Sequence, residues 1–302
     1  METGKKNLTA YLAATVAIIL WGFSFVWTNS LLINEVPVFT YLFIRLATAG
    51  LLLVALSKSI KKLQKVKGKD MLWMILMAFC EPFIYFIGET YGMLATGSAT
   101  IAAVIIATIP IFCLIVERIV WKIPFNIYKV CGITLTIPGI VMVVFQEGTM
   151  NVEHLYGIAL LFVAVCGSIG YAMCVKKLTD KYNTITITTY QFVVGALFFL
   201  PFFLIYGIDG VTAKLLTAQI LVPLLSLAVL CSCLCFGLWI FSIGKLGITR
   251  TNIFSALIPS ISAIGAFAMG QEELGGMRIA GICTVIAGVI LAQMEKKKAK
   301  SK

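Results

Sequence analysis

Charge is what this chain holds least of. Only 12% of its 302 residues are charged and 60% are hydrophobic, with a mean hydropathy of +1.01. Soluble domains carry about 25% charged residues, so a water-facing surface over most of the chain is excluded. Histidine is almost missing. His154 stands alone in what reads as an outer loop, which leaves no His-based catalytic triad and no intramembrane zinc site to build. No Walker loop or other phosphate cradle occurs, so ATP is not expected to be the direct energy source. The first apolar run is too long for a cleavable signal peptide and has no small-residue cleavage pattern after it. No linker, low-complexity tract or soluble domain interrupts the sequence, and the largest outer loop, "QEGTMNVEHLYG", is too short to fold. Neither a cofactor nor a metal is expected, and an enzyme is disfavoured.

What fills the sequence instead is apolar runs of about 20 residues, each enough to cross the bilayer core as a helix. Ten are read, over 10–31, 37–57, 71–94, 98–120, 127–145, 155–175, 184–206, 219–243, 249–269 and 276–294. The predicted fold class is therefore an all-α membrane protein of ten transmembrane helices. The net charge of +11 follows this layout and does not mark a nucleic-acid partner. Of the 24 Lys and Arg, 21 fall in the N-terminal tail, segments 58–69, 118–129, 176–181 and 245–250, and the C-terminal tail, all on one side of a ten-span path. Lys214 and Arg278 are placed in outer loops, and Arg45 remains inside a span. That asymmetry is the positive-inside rule. It puts both termini in the cytoplasm, in what is expected to be a bacterial inner membrane, with anionic lipid as a secondary contact of the Lys-rich runs. All nine cysteines fall in spans. In "CSCLC", Cys231 and Cys235 share a helix face while Cys233 points nearly opposite, so packing is favoured over metal binding.

The chain also repeats itself. "SATIAAVIIATIPIF" (98–112) and "GITRTNIFSALIPSI" (247–261) match Thr100 with Thr249 and Pro110 with Pro259 at an offset of 149. The same offset pairs Gly132 with Gly281 and Gly139 with Gly288; earlier in each half the offset is 146, pairing Arg45 with Gln191 and Phe25 with Tyr171. The halves are read as 1–147 and 148–302. Five spans per half is odd, so the second copy enters the membrane inverted, an architecture of secondary transporters with a midplane site between the halves. Small residues in "ATGSATIAA", "IAGVILA" and "VVGALFF" allow close helix packing within or between chains, and so set no oligomeric state.

With "WGFSFVW" (21–27), "FIRLATAG" (43–50), Pro110/Pro259 and "GQEELGGMRIAGICTVIAGVILA" (270–292), the whole chain resembles EamA-type transporters of the drug/metabolite transporter superfamily. The resemblance implies export of metabolites, amino acids or drugs through a cavity lined by both halves. One departure is Ile123, standing where the family usually has the acid matched here by Glu272, a residue expected to cap a span or order a loop.

Three ionisable residues lie within spans and are functional candidates for that reason: Arg45, Glu81 and Glu89. At ~1.5 Å rise per residue, Arg45 and Glu89 lie roughly 12 and 8 Å from the outer face, close enough to pair, and Glu81 roughly 12 Å deeper than Glu89. Glu81, Tyr85 and Glu89 follow i, i+4, i+8 along one helix face. Pro82 breaks that helix. Three uses are open to Glu81: proton carriage, contact with a substrate amine, or a protonated hydrogen bond to a neighbouring helix. Substrate-cavity candidates are Trp21, which is too deep for the interfacial belt, with Tyr85, Tyr91, Tyr171 and Trp239 as further rings (Trp27 beside them) and Ser24, Thr28, Asn29 and Gln191 as polar handles. The reading is a secondary transporter, an exporter of small organic metabolites working by alternating access with protons as a candidate coupling ion. An uncoupled facilitator or exchanger is the alternative, and a non-transporting scaffold or sensor a more distant one.

Overall fold

The computed structural model describes residues 2–120, 122, 126–145, 152–246, 251, 253–292 and 294. Every regular element among them is helical, as a chain in lipid requires: with no water to bond to, each backbone N–H and C=O must be matched within the segment. Ten apolar helical segments follow one another: α1 (Leu8–Ile33), α2 (Val38–Ser59), α3 (Gly68–Thr96), α4 (Ala99–Val116), α5 (Ile127–Val144), α6 (Val152–Thr179), α7 (Thr184–Tyr206), α8 (Ala218–Leu246), α9 (Phe254–Ala268) and α10 (Gly276–Ala292). The first eight are long and apolar enough to cross a membrane by length and composition; α9 and α10 are shorter. The first residues of the expected span 249–269 lie partly outside the described residues. The expected boundary between 147 and 148 also lies outside them.

Sequence chemistry sets several ends. Ser98, Asn126 and Asn183 each accept a bond from the backbone N–H three residues on, capping α4, α5 and α7. Gly97, at φ +63, supplies the left-handed turn that lets α3 stop and α4 start two residues later. Two corrections to the sequence reading concern ends and breaks. His154 lies in the first turn of α6 and not in a loop. The fourth span is not continuous: a turn at Ala107–Thr108, just before Pro110, divides it.

The inversion is visible in which helices touch. α5 packs along α10, α2 along α7, α3 along α6, and α1 along α8 and α9. Exchanging the halves maps the first two pairs onto themselves and turns α3/α6 into α8/α1. The self-mapped pairs run antiparallel, which is what inversion demands of equivalent helices. Along α5/α10, a methyl added at Gly132 would meet the carbonyl of Gly288, and one at Gly139 the carbonyl of Gly281. The relation is reciprocal, since methyls at Gly288 and Gly281 would lie 2.9 and 2.8 Å from the carbonyls of Gly132 and Gly139. These are the same four glycines that mark the repeat in the sequence. Lacking side chains, they let two backbones approach as small residues do in membranes.

That seam generates a test. Gly139→Leu forces a side chain against Val285 and the Gly281 carbonyl, and should destabilise the purified protein by about 1–3 kcal/mol, read as a lower melting midpoint. Gly237→Ala, in a helix interior where an added carbon meets nothing within 4 Å, should not lower the midpoint.

Candidate functional site

A cavity of about 210 Å³ lies between the halves. Its walls come from α1 (Trp21, Ser24, Phe25), α2 (Arg45), α3 (Glu81, Tyr85, Phe86, Glu89), the second part of α4, the C-terminal half of α6 (Ser168, Tyr171, Lys176), α8 (Phe236, Trp239) and the start of α9. The contributions from α4, α6, α8 and α9 all belong to the helix ends on the Lys/Arg-rich face. Lys176, Thr179 and Asp180, at the C-terminal end of α6, form part of the lining there. The hollow therefore opens toward that face.

The opposite face is sealed by polar contacts. Tyr41 Oη and Thr90 Oγ1 are 2.6 Å apart. Asn29 Nδ2 donates to Gln271 Oε1 at 3.1 Å, and Gln271 Nε2 donates to the Val26 carbonyl at 3.1 Å. Glu272, in the loop before α10, accepts the Thr100 N–H at 3.1 Å and pairs with Arg278 at 2.9 Å, with both side chains buried. The capping role expected of Glu272 is thus a bond to the first turn of α4. Arg278, expected in an outer loop, is buried within that pair. On the Lys/Arg-rich face the α6–α7 loop is joined to the first turn of α3 by Lys181–Asp70 at 2.8 Å and to the α2–α3 loop by Asn183 Nδ2 to the Lys62 carbonyl at 2.8 Å. The hydrogen bond that Lys181 donates to the Asp70 carboxylate raises the Lys181 pKa above the ordinary lysine value.

The expected site residues divide. Trp21, Ser24, Tyr85, Tyr171, Trp239, Arg45, Glu81 and Glu89 all line the cavity. Thr28, Asn29, Tyr91 and Gln191 are not among its walls. Thr28 and Asn29 lie at the sealed end of α1, Tyr91 packs on Phe39, and Gln191 sits behind Glu81. The expected Arg45–Glu89 pair does not form at ion-pair distance. Arg45 instead donates Nε to Ser232 Oγ at 3.0 Å and lies 4.2 Å from the centre of the Phe86 ring. Glu89 accepts the Tyr85 hydroxyl at 3.0 Å.

Glu81 is placed by a break in its helix. Within the π-turn Phe79–Ile84 it adopts φ −149 and ψ 113, outside the helical region, and its carboxyl reaches the cavity. Its Oε2 has no hydrogen-bond partner; Ser168 is the side chain beside the carboxyl, and the Tyr171 hydroxyl lies next to Gln191. Trp21 donates Nε1 to the Cys231 carbonyl at 3.2 Å and holds its ring against Phe236 and Trp239, both at 5.2 Å between centroids. Sequence reading missed Phe236, three residues before Trp239 on the same face, and Lys176, five residues beyond Tyr171. The cysteines follow the packing reading: Cys231 and Cys235 face α1 carbonyls, while Cys233 faces Ala49 of α2.

The EamA-like transporter family matches residues 8–145 and again residues 155–294. The chain is 25% identical over 299 residues, 97% of it and 89% of the relative, to the uncharacterized transporter YetK of Bacillus subtilis. It is 26% identical over 289 residues, 94% of it and 97% of the relative, to an uncharacterized transporter of Archaeoglobus fulgidus. To a probable amino-acid metabolite efflux pump of Salmonella typhimurium it is 25% identical over 172 residues, 54% of this chain and 56% of that one. A solved crystal structure of a protein 13% identical superposes with a TM-score of 0.71, covering 97% of this chain and 98% of the other, and so shares the fold.

The sealed face yields a prediction. Glu272→Ala removes the carboxylate of a buried ion pair and leaves Arg278 with the Glu273 carbonyl, a loss of about 3–5 kcal/mol for a broken buried pair. It should lower the melting midpoint and speed hydrogen exchange at the Thr100 amide. Unchanged exchange there would show that Glu272 does not hold α4.

Proposed function

We propose, for a chain that belongs to the EamA-like transporter family, outward secondary transport of a small organic metabolite by alternating access. The carrying observation is a hollow between two inverted halves, open toward the Lys/Arg-rich face and lined by Arg45, Glu81 and Glu89. Its volume of about 210 Å³ is below the ~300–1,000 Å³ of pockets for drug-sized ligands, which favours metabolites over larger drugs. Rings of Trp21, Phe236 and Trp239 with a few charged groups suit an amphipathic solute such as an amino acid or a related compound. The similarity to a relative named a probable amino-acid metabolite efflux pump supports the same class. The Lys/Arg asymmetry supports cytoplasmic termini, so that the described state faces the cytoplasm, where an exporter loads.

Transport would proceed by rocking one half against the other. Breaking the Asn29–Gln271, Tyr41–Thr90 and Glu272–Thr100 contacts opens the sealed face, while the Lys/Arg-rich mouth closes. Glu81 is the residue we assign to proton carriage. Its carboxyl faces the hollow and is held in no ion pair, Arg45 donating to Ser232 instead, so it can exchange a proton whenever its side of the cavity is wetted.

A growth screen of overexpressing cells against toxic amino acids and metabolites supplies the solute, and vesicles with a pH gradient supply the test. Glu81→Gln should cut gradient-driven flux by at least about tenfold, within the range of a coupling free energy between sites. Undiminished flux removes Glu81 from proton carriage. Flux that survives neutralising both Glu81 and Glu89 makes the protein a facilitator, and the absence of saturable flux in the unaltered protein ends the transport reading.

A further inference from the structure

Arg45 and Gln191 stand at the same position of the two repeats, 146 residues apart, one in α2 and the other in α7. Both are enclosed, at 3% and 0% exposure. Each crosses to the other half and donates into the wide turn of its third helix. Arg45 Nε reaches Ser232 Oγ at 3.0 Å, within the π-turn Ser226–Leu234 of α8. Gln191 Nε2 reaches the main-chain carbonyl of Glu81 at 3.2 Å, within the π-turn Phe79–Ile84 of α3. The seats match as well. Four residues beyond Gln191, Gly195 makes room for the Pro82 ring, which a methyl there would strike. Four residues beyond Arg45, Ala49 offers its carbonyl to Cys233 Sγ at 3.5 Å.

The need for such a donor is physical. With Glu81 extended and Pro82 next in sequence, the Glu81 carbonyl has left the helical ladder, and in lipid it must find a partner in a neighbouring helix. A glutamine amide provides a donor without charge, whereas arginine provides donors with a fixed positive charge. The titratable groups facing Glu81 are Arg45 from α2, Cys80, Tyr85 and Glu89 from its own helix, and Tyr171 from α6. Arg45 is held by Ser232 and Phe86, and Tyr85 by Glu89.

We propose that Gln191 is a positioning residue for Glu81: its amide holds the break that turns the Glu81 carboxyl into the cavity, and, being neutral where its repeat counterpart is a guanidinium, it adds no second cation beside that carboxyl. The proposal rests on the reading of Glu81 as proton carrier and deepens it. Divergence of one repeat-related pair, Arg in the first half and Gln in the second, divides the labour of the midplane: a fixed cation from α2 held against α8, an exchangeable proton on α3.

The test needs no substrate. The full-length protein in lipid is titrated by infrared spectroscopy, and the protonated-carboxyl band that Glu81→Gln removes is assigned to Glu81. In Gln191→Arg that band should be lost at neutral pH, because a guanidinium now reaches the carboxylate. Gln191→Met, which keeps neutrality and similar bulk but has no donor, should keep the band and shift it, and it serves if the arginine variant does not fold. A Glu81 band identical in every folded Gln191 variant overturns the positioning role and leaves proton carriage intact. A protein showing no Glu81 band at any pH overturns proton carriage itself, and the positioning role with it.

Discussion

Inside a bilayer a backbone carbonyl cannot turn to water, and the consequences of that one constraint organise the molecule. It makes every regular described element a helix, and it makes each departure from a helix depend on a partner elsewhere. The departures lie where the hollow is. α3 and α8 widen into π-turns at related positions, and a polar side chain from the opposite half meets each one. A feature that would be a defect in an isolated helix thereby becomes a contact between halves. Its position also delivers Glu81 to the cavity.

Inversion gives the two faces the same scaffold, and substitution makes them unequal. On the sealed face the α9–α10 loop carries Glu272, which joins Thr100 of α4 to Arg278 of α10. The repeat offset of 149 puts Ile123 and Lys129 at the corresponding places. Isoleucine has no acceptor for a backbone N–H, so the same clasp cannot be written there; Ile123 itself lies outside the described residues. A protein whose faces are closed by contacts of different strength need not rest midway between its two open forms. The cavity described opens on the face whose sequence lacks the clasp.

Much of this was legible from residue order. Hydrophobic length gave ten segments, and the glycines repeating at 132, 139, 281 and 288 proved to be the seam itself, because a repeated glycine in lipid marks a repeated close approach. The i, i+4 spacing of Tyr85 and Glu89 puts both on the cavity wall, whereas Glu81 joins them through the break in its helix. Depth and direction were harder. Thr28 and Asn29 continue the path of α1 beyond Trp21 and Ser24 but reach the sealed end, which spacing cannot reveal without knowing where the hollow stops. Comparable depth suggested an Arg45–Glu89 pair, yet the wide turn of α8 offers Ser232 to Arg45, and Tyr85 reaches Glu89 first. Arg278 looked like a loop cation because its partner, six residues earlier, was read only as a cap. Gln191 looked like a ligand handle because a polar residue in a span draws attention as a site, while its partner is the carbonyl that the extended Glu81 turns out of the helical ladder.

Sided access to the hollow is the central claim, and Cys113, a cavity-wall residue on α4, can report it. The measurement is labelling by a membrane-impermeant thiol reagent added to one face at a time, with the Cys113→Ala protein subtracted as background. The account predicts labelling from the Lys/Arg-rich face in the resting protein, protection from the opposite face, and reversal of that pattern when a solute gradient holds the transporter in its other state. Labelling from both faces at once, or from neither under any gradient, would contradict it.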